Sequence, residues 1–110
     1  MKRLLLAATL TVASLSANAS DKDEYCNLIY GYAETIMNAR QNGLPMPKMR
    51  QIVKNTNDDA LISIGDSLIE WAYSQPKYHS EELQKYSTNR FAERAYYGCK
   101  EVERGKKKGA

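Results

Sequence analysis

Asp66 and Glu70 stand four residues apart, so a helix over this stretch puts both carboxylates on one face. Two carboxylates so placed are what acid–base hydrolysis uses, one giving a proton while the other activates water or attacks. The same spacing is also ordinary on a solvated helix surface, and the sequence favours that reading. His79 is the single histidine. Ser80 is adjacent to it, but no nucleophile stands at a spacing that builds a relay, so it reads as a polar loop residue. No glycine-rich phosphate loop and no metal-ligand cluster occurs; one histidine and two distant cysteines do not make a zinc site. No cofactor and no metal are expected. These residues do not add up to an active site, and the chain reads as a non-enzymatic protein, with an enzyme using Asp66 and Glu70 as an alternative.

The aromatic residues are more informative. The chain has eight tyrosines and one tryptophan, and Trp71, Tyr73 and Tyr78 flank Pro76. Tyrosine and tryptophan are favoured where a surface is half apolar and half wet, as at protein interfaces. Tyr86, Arg90, Glu93 and Tyr97 form a stripe of the same character further along. Two uses stand open for these side chains: closing the edges of a thin core, or binding a partner or a second copy. Arg40 shares a side with Ile36 and Met37, and its guanidinium is expected to pair with a carboxylate, Glu70 or Asp66, or to contact a partner at the end of the bundle.

Cys26 and Cys99 are the only cysteines. Their chemistry depends on the compartment, and residues 1–19 speak to that. Lys2 and Arg3 precede an apolar run from Leu4 to Val12, extending to Leu15, and Ala17-Asn18-Ala19 is a small-x-small cleavage site. That is the pattern of a secretory signal, cut after Ala19. The run is too short for a bilayer core, which needs about 20 residues, and no other stretch is apolar enough to span one. Ser20 follows the cut, so the lipoprotein route is unsupported. The expected product is periplasmic or secreted, where a Cys26–Cys99 disulfide forms readily. The 91 residues after the cut make one small domain. Such a chain buries only about 60–65% of its unfolded surface, and closing a loop of this length adds roughly 4 kcal/mol.

Charge excludes one class of partner. Without Lys2 and Arg3, the 16 basic residues fall to 14 against 13 acidic ones, and four of those basics lie in the tail from Arg104 to Ala110; the body without them is net −3. A nucleic-acid surface needs a basic face, so none is expected. The tail, 105–110, reads as a disordered basic end, with a weak contact to anionic surfaces as its other use.

The elements that position these residues follow from periodicity. A first helix starts near Asp21, capped by Ser20 or Asp21, with Tyr25, Leu28, Ile29, Tyr32, Ala33, Ile36 and Met37 on one face and Cys26 at its edge. Asn42-Gly43 stops it and Pro45 blocks continuation. Pro47 starts a short second helix with Met46, Met49, Ile52 and Val53 on its apolar side. Asn55-Thr56-Asn57 reads as a turn and then a cap. The third helix runs to about Tyr73 with apolar residues around much of its circumference, which predicts a central position. Gly65 inside it costs about 1 kcal/mol relative to alanine, which predicts a close helix crossing there. After the connection 74–79, Ser80 caps a fourth helix whose apolar face is Leu83, Tyr86, Phe91, Ala92, Ala95, Tyr96, Cys99 and Val102, stopped by Gly105. With the first and last helices antiparallel, the two cysteines meet. The prediction is an all-α, small four-helix bundle over residues 20–104, closed by one disulfide between the first and last helices.

Met37-Asn38-Ala39-Arg40-Gln41-Asn42-Gly43, followed by Pro45 and Met49, and Phe91-Ala92 followed by Cys99, resemble a pattern in small exported helical proteins of proteobacteria and their phages. The resemblance covers most of the chain after the signal, and it implies an architecture and no activity. In size, signal, helices and disulfide the chain is also similar to periplasmic immunity proteins that neutralise secreted cell-wall effectors, and to acid-stress periplasmic chaperones. The expected function is therefore binding of another envelope protein, as an inhibitor or immunity protein against an envelope-acting enzyme, with a stress chaperone as the alternative.

Overall fold

The computed structural model describes residues 21–109, so the expected signal and its cleavage site lie outside the described residues. Four helices follow in order: α1 (Asp21–Gln41), α2 (Met46–Lys54), α3 (Asp59–Tyr73) and α4 (Glu81–Gly109). No strand occurs among the described residues. This is the all-α bundle that the periodicity predicts. The Cys26–Cys99 disulfide joins its first and last helices, with Cα atoms 5.6 Å apart.

The helix boundaries have local causes. Gly43 ends α1 in the left-handed region, φ 88°. Its N–H donates to Arg40 O at 3.1 Å and the Leu44 N–H donates to Ala39 O at 3.0 Å, the pair of bonds that closes a Schellman motif. Pro45, extended, precedes α2, and Pro47 occupies its first turn where no N–H is needed. Asn57 is left-handed, φ 56°, a conformation asparagine tolerates. The cap of α3 is therefore one residue later than the turn predicts: Asp58 Oδ1 accepts from the Leu61 N–H at 3.0 Å. Ser80 caps α4 as expected, its Oγ accepting from the Leu83 N–H at 3.1 Å. Gly105 does not stop α4, which carries on to Gly109. Gly105 does not take a positive φ, and a glycine inside a helix costs about 1 kcal/mol without forbidding it.

The core is assembled around α1, whose Ile29, Ala33, Ile36 and Met37 are buried against Leu68, Ile69 and Ala72 of α3 and Phe91, Ala92 and Ala95 of α4. Met49 and Val53 of α2 close one side. The helix with the most extensive packing is α1, while α3 packs on α1 and α2 and reaches α4 through Trp71 on Phe91. The small residues Ala92 and Ala95 let α4 lie along α1, and these two make the most extensive helix pair. The apolar stripes overrun this core at their ends. Tyr25 and Leu28 of α1 are 44% and 53% exposed, and Leu83, Tyr86 and Val102 of α4 are 48%, 60% and 58% exposed. The reason is length: α2 and α3, of 9 and 15 residues, cannot cover the full run of α1 and α4, of 21 and 29 residues.

Gly65 sits where a crossing was expected. A Cβ there would meet the Tyr32 hydroxyl of α1 and Val53 Cγ1 of α2, the latter at 2.6 Å. Tyr32 Oη also donates to Leu61 O at 2.9 Å, tying α1 to α3 across the same crossing. Burial pushes the Tyr32 phenol above the ordinary tyrosine range, and the carboxylates of Asp66 and then Asp58 push it further.

Candidate functional site

The connection between α3 and α4 is held by main-chain hydrogen bonds to three side chains, two of them adjacent at the end of α1. Arg40 donates from Nε and Nη2 to Gln75 O at 3.3 and 3.0 Å. Gln41, only 1% exposed, donates from Nε2 to Pro76 O at 2.8 Å and accepts at Oε1 from the Tyr78 N–H, also at 2.8 Å. From the far side, Gln84 of α4 donates to Tyr78 O at 2.7 Å. Both main-chain groups of Tyr78 are thereby satisfied, and its ring is presented from a fixed backbone.

That ring lines a cleft of about 200 Å³ between the end of α3, the connection and α4. Trp71 comes from α3, and Tyr86, Arg90 and Arg94 come from α4 at a spacing of four, which aligns them on one face. Trp71 is half-buried with its ring 4.5 Å from that of Phe91, so the floor is aromatic and fixed. Arg90 lies over the Tyr86 ring, 5.8 Å from its centroid. Both arginines are exposed, and among the described residues neither has a carboxylate within ion-pair distance. The cleft lining itself contains no acidic side chain. Tryptophan, tyrosine and arginine are the residue types that dominate binding energy at protein interfaces. A second concavity, about 580 Å³, lies between α1 and α4 and is lined by hydroxyls and carboxamides such as Thr35, Asn38, Thr88 and Asn89, with charged groups but no aromatic.

The structure thus brings together Trp71, Tyr78, Tyr86 and Arg90 of the sequence-predicted residues and leaves the others elsewhere. Tyr73 is half-buried, its hydroxyl donating to Leu44 O at 2.6 Å, and burial raises its pKa while the nearby Arg40 guanidinium lowers it. Tyr97 is 64% exposed and meets Tyr96 edge-on, with centroids 5.5 Å apart, outside the cleft. Arg40 does not pair with Glu70 or Asp66. It binds the connection and lies 5.4 Å over the Tyr73 ring. The partner of the two carboxylates is Arg50 of α2, 3.4 Å from Asp66 Oδ1 and 3.6 Å from Glu70 Oε1. The reason is topological: α2 packs on α3 and brings Arg50 alongside that face, while Arg40 sits at the far end of α1. His79 is exposed. Among the described residues no group of three His, Cys, Asp or Glu side chains is placed to hold a metal, and no helix is long and apolar enough to cross a membrane.

Arg94 and Gln41 belong to this site although neither stands among the sequence-predicted residues. The signal for Arg94 is its spacing of four from Arg90, which itself is four from Tyr86. Gln41 carries no such signal, because a glutamine in the last turn of a helix reads as solvated. No protein family, curated protein or solved structure matches the chain. The Cys26–Cys99 disulfide indicates an oxidising compartment.

Proposed function

We propose that the protein acts in the periplasm or outside the cell by binding another protein through the Trp71–Tyr78–Tyr86 cleft, as an inhibitor or immunity protein against an envelope-acting enzyme. The carrying observation is that cleft: four aromatic side chains and two arginines without carboxylate partners, meeting beside a connection whose backbone is already fixed. A surface ordered before binding loses little entropy when a partner arrives, which favours tight association. The export pattern of residues 1–19 and the disulfide together support the envelope as the place of action. The Arg50 bridge to Asp66 and Glu70 favours this reading over an enzyme that uses the two carboxylates.

The experiment is affinity capture from an envelope fraction with the tagged, disulfide-intact protein as bait. The expected result is one stoichiometric enzyme whose turnover falls when the purified protein is added. Recovery of many abundant proteins, enriched only after acid shock, replaces this reading with a stress chaperone.

A further inference from the structure

We propose that the cleft takes an acidic segment of the partner protein, seating a side-chain carboxylate between Arg90 and Arg94 and the apolar neighbour of that carboxylate against Trp71. The inference rests on the protein-binding reading above and names the chemistry of its partner. Guanidinium groups present planar forks that match a carboxylate in two-point contact. Here two such groups stand one helical turn apart, both exposed, with no carboxylate in ion-pair distance among the described residues and none in the cleft lining. The cleft lining holds two cationic side chains and no acidic one, so its charge is complementary to an acidic segment. The apolar half of the occupant follows from the Trp71–Phe91 floor, whose aromatic face is only partly covered. Size points the same way. The cleft is about 200 Å³, below the usual small-molecule range of roughly 300–1,000 Å³, and suits one or two side chains presented by a larger partner.

Trp71 is the single tryptophan, so its fluorescence reports on the cleft without labelling. The probes are four tetrapeptides: acetyl-Ala-Phe-Glu-Ala-amide, its Gln-for-Glu form, its Ala-for-Phe form, and the Gln form with a free C-terminal carboxylate. The expected result is a saturable change in Trp71 emission with the first peptide, in the millimolar range, and binding about tenfold weaker or more for the Gln and Ala forms. The Arg90→Gln and Arg94→Gln variants, whose side chains are exposed and whose helix content is checked by circular dichroism, should lose the Glu-over-Gln preference. Equal binding of the Glu and Gln peptides overturns the proposal, as does the absence of any emission change with all four. Tightest binding by the free-carboxylate peptide also overturns it, since the occupant is then a chain terminus. Partner capture separates the two levels of the argument. A partner lost on Tyr86→Ala, together with charge-indifferent peptides, removes the acidic-segment inference and leaves the binding surface standing; a partner insensitive to every cleft variant removes the binding surface itself.

Discussion

Gln41 holds the main chain of Tyr78 from inside the protein: its Oε1 accepts the Tyr78 N–H at 2.8 Å while its Nε2 donates to Pro76 O at 2.8 Å. One buried carboxamide thus supplies both an acceptor and a donor to a connection that no helix ladder serves. Removing it leaves a main-chain N–H and a carbonyl without partners, at a cost of about 1–3 kcal/mol. Gln41→Ala should lower stability by that amount in urea unfolding and raise the hydrogen-exchange rate of the Tyr78 amide more than that of core amides in α1. Unchanged exchange at Tyr78 would show that Gln84 and Arg40 fix the connection unaided.

The glycines offer a prediction of opposite signs. At Gly65 an added Cβ meets Tyr32 and Val53, so the roughly 1 kcal/mol gained in helix propensity is outweighed by crowding that typically costs about 1–3 kcal/mol. Gly31 and Gly98 lie inside α1 and α4 and have nothing within contact of an added Cβ. Gly65→Ala should therefore lower the midpoint of thermal unfolding, while Gly31→Ala and Gly98→Ala should each raise stability by about 0.5–1 kcal/mol. A stabilised Gly65→Ala protein would mean that Tyr32 moves aside freely.

The disulfide spans 73 residues of sequence and links the two helices of the most extensive pair, near the start of α1 and two-thirds of the way along α4. In the chain-entropy description, opening a loop of this size releases about 4 kcal/mol of stability into the unfolded ensemble. The Cys26→Ala/Cys99→Ala protein should unfold at a markedly lower urea concentration. Equal midpoints for the oxidised protein and this variant would contradict that role.

Alkaline pH tests two phenols at once. Burial raises the pKa of both Tyr32 and Tyr73, and each hydroxyl donates to a main-chain carbonyl, Leu61 O and Leu44 O. The folded state therefore holds these protons more tightly than the unfolded one. Their contribution to stability is complete below the unfolded tyrosine value, about 10, and is lost as pH rises through the higher folded values. Stability of the wild type should fall with pH above about 10, and the Tyr32→Phe/Tyr73→Phe protein should show a shallower fall over the same window. Parallel curves for the two proteins would assign the alkaline loss to other groups.

Much of this architecture is legible from short signals. Gly43 and Ser80 mark boundaries because each ends or begins a helix by a local hydrogen bond, and Cys26 and Cys99 pair because antiparallel helices bring their stripes together. Gly65 foretells its own crossing, since a glycine inside a helix needs a compensating contact. Which stripe ends are covered is a tertiary matter: Leu28 and Val102 obey helical spacing yet face solvent, because the helices that would cover them are too short. The partner of Arg40 is likewise set by packing, which places the carbonyl of Gln75 in its reach and gives Asp66 and Glu70 to Arg50. The cleft is half legible: Trp71, Tyr78 and Tyr86 stand out by residue type and Arg94 by its spacing from Arg90, whereas the clamp by Gln41 emerges only once α1, the connection and α4 are placed together.

The central claim is that Trp71, Tyr78 and Tyr86 form one binding surface, and the direct measurement is the dissociation constant of the captured partner for the wild type and for single-alanine variants. Tyr86 is the most informative position because it is 60% exposed and its removal leaves the core intact. Tyr97, 64% exposed and outside the cleft, is the matched control. The account predicts that Tyr86→Ala, Tyr78→Ala and Trp71→Ala each weaken binding by about tenfold or more, as central aromatic residues of an interface do, while Tyr97→Ala leaves the constant unchanged. Equal affinities for the wild type and Tyr86→Ala, or a loss confined to Tyr97→Ala, would contradict it.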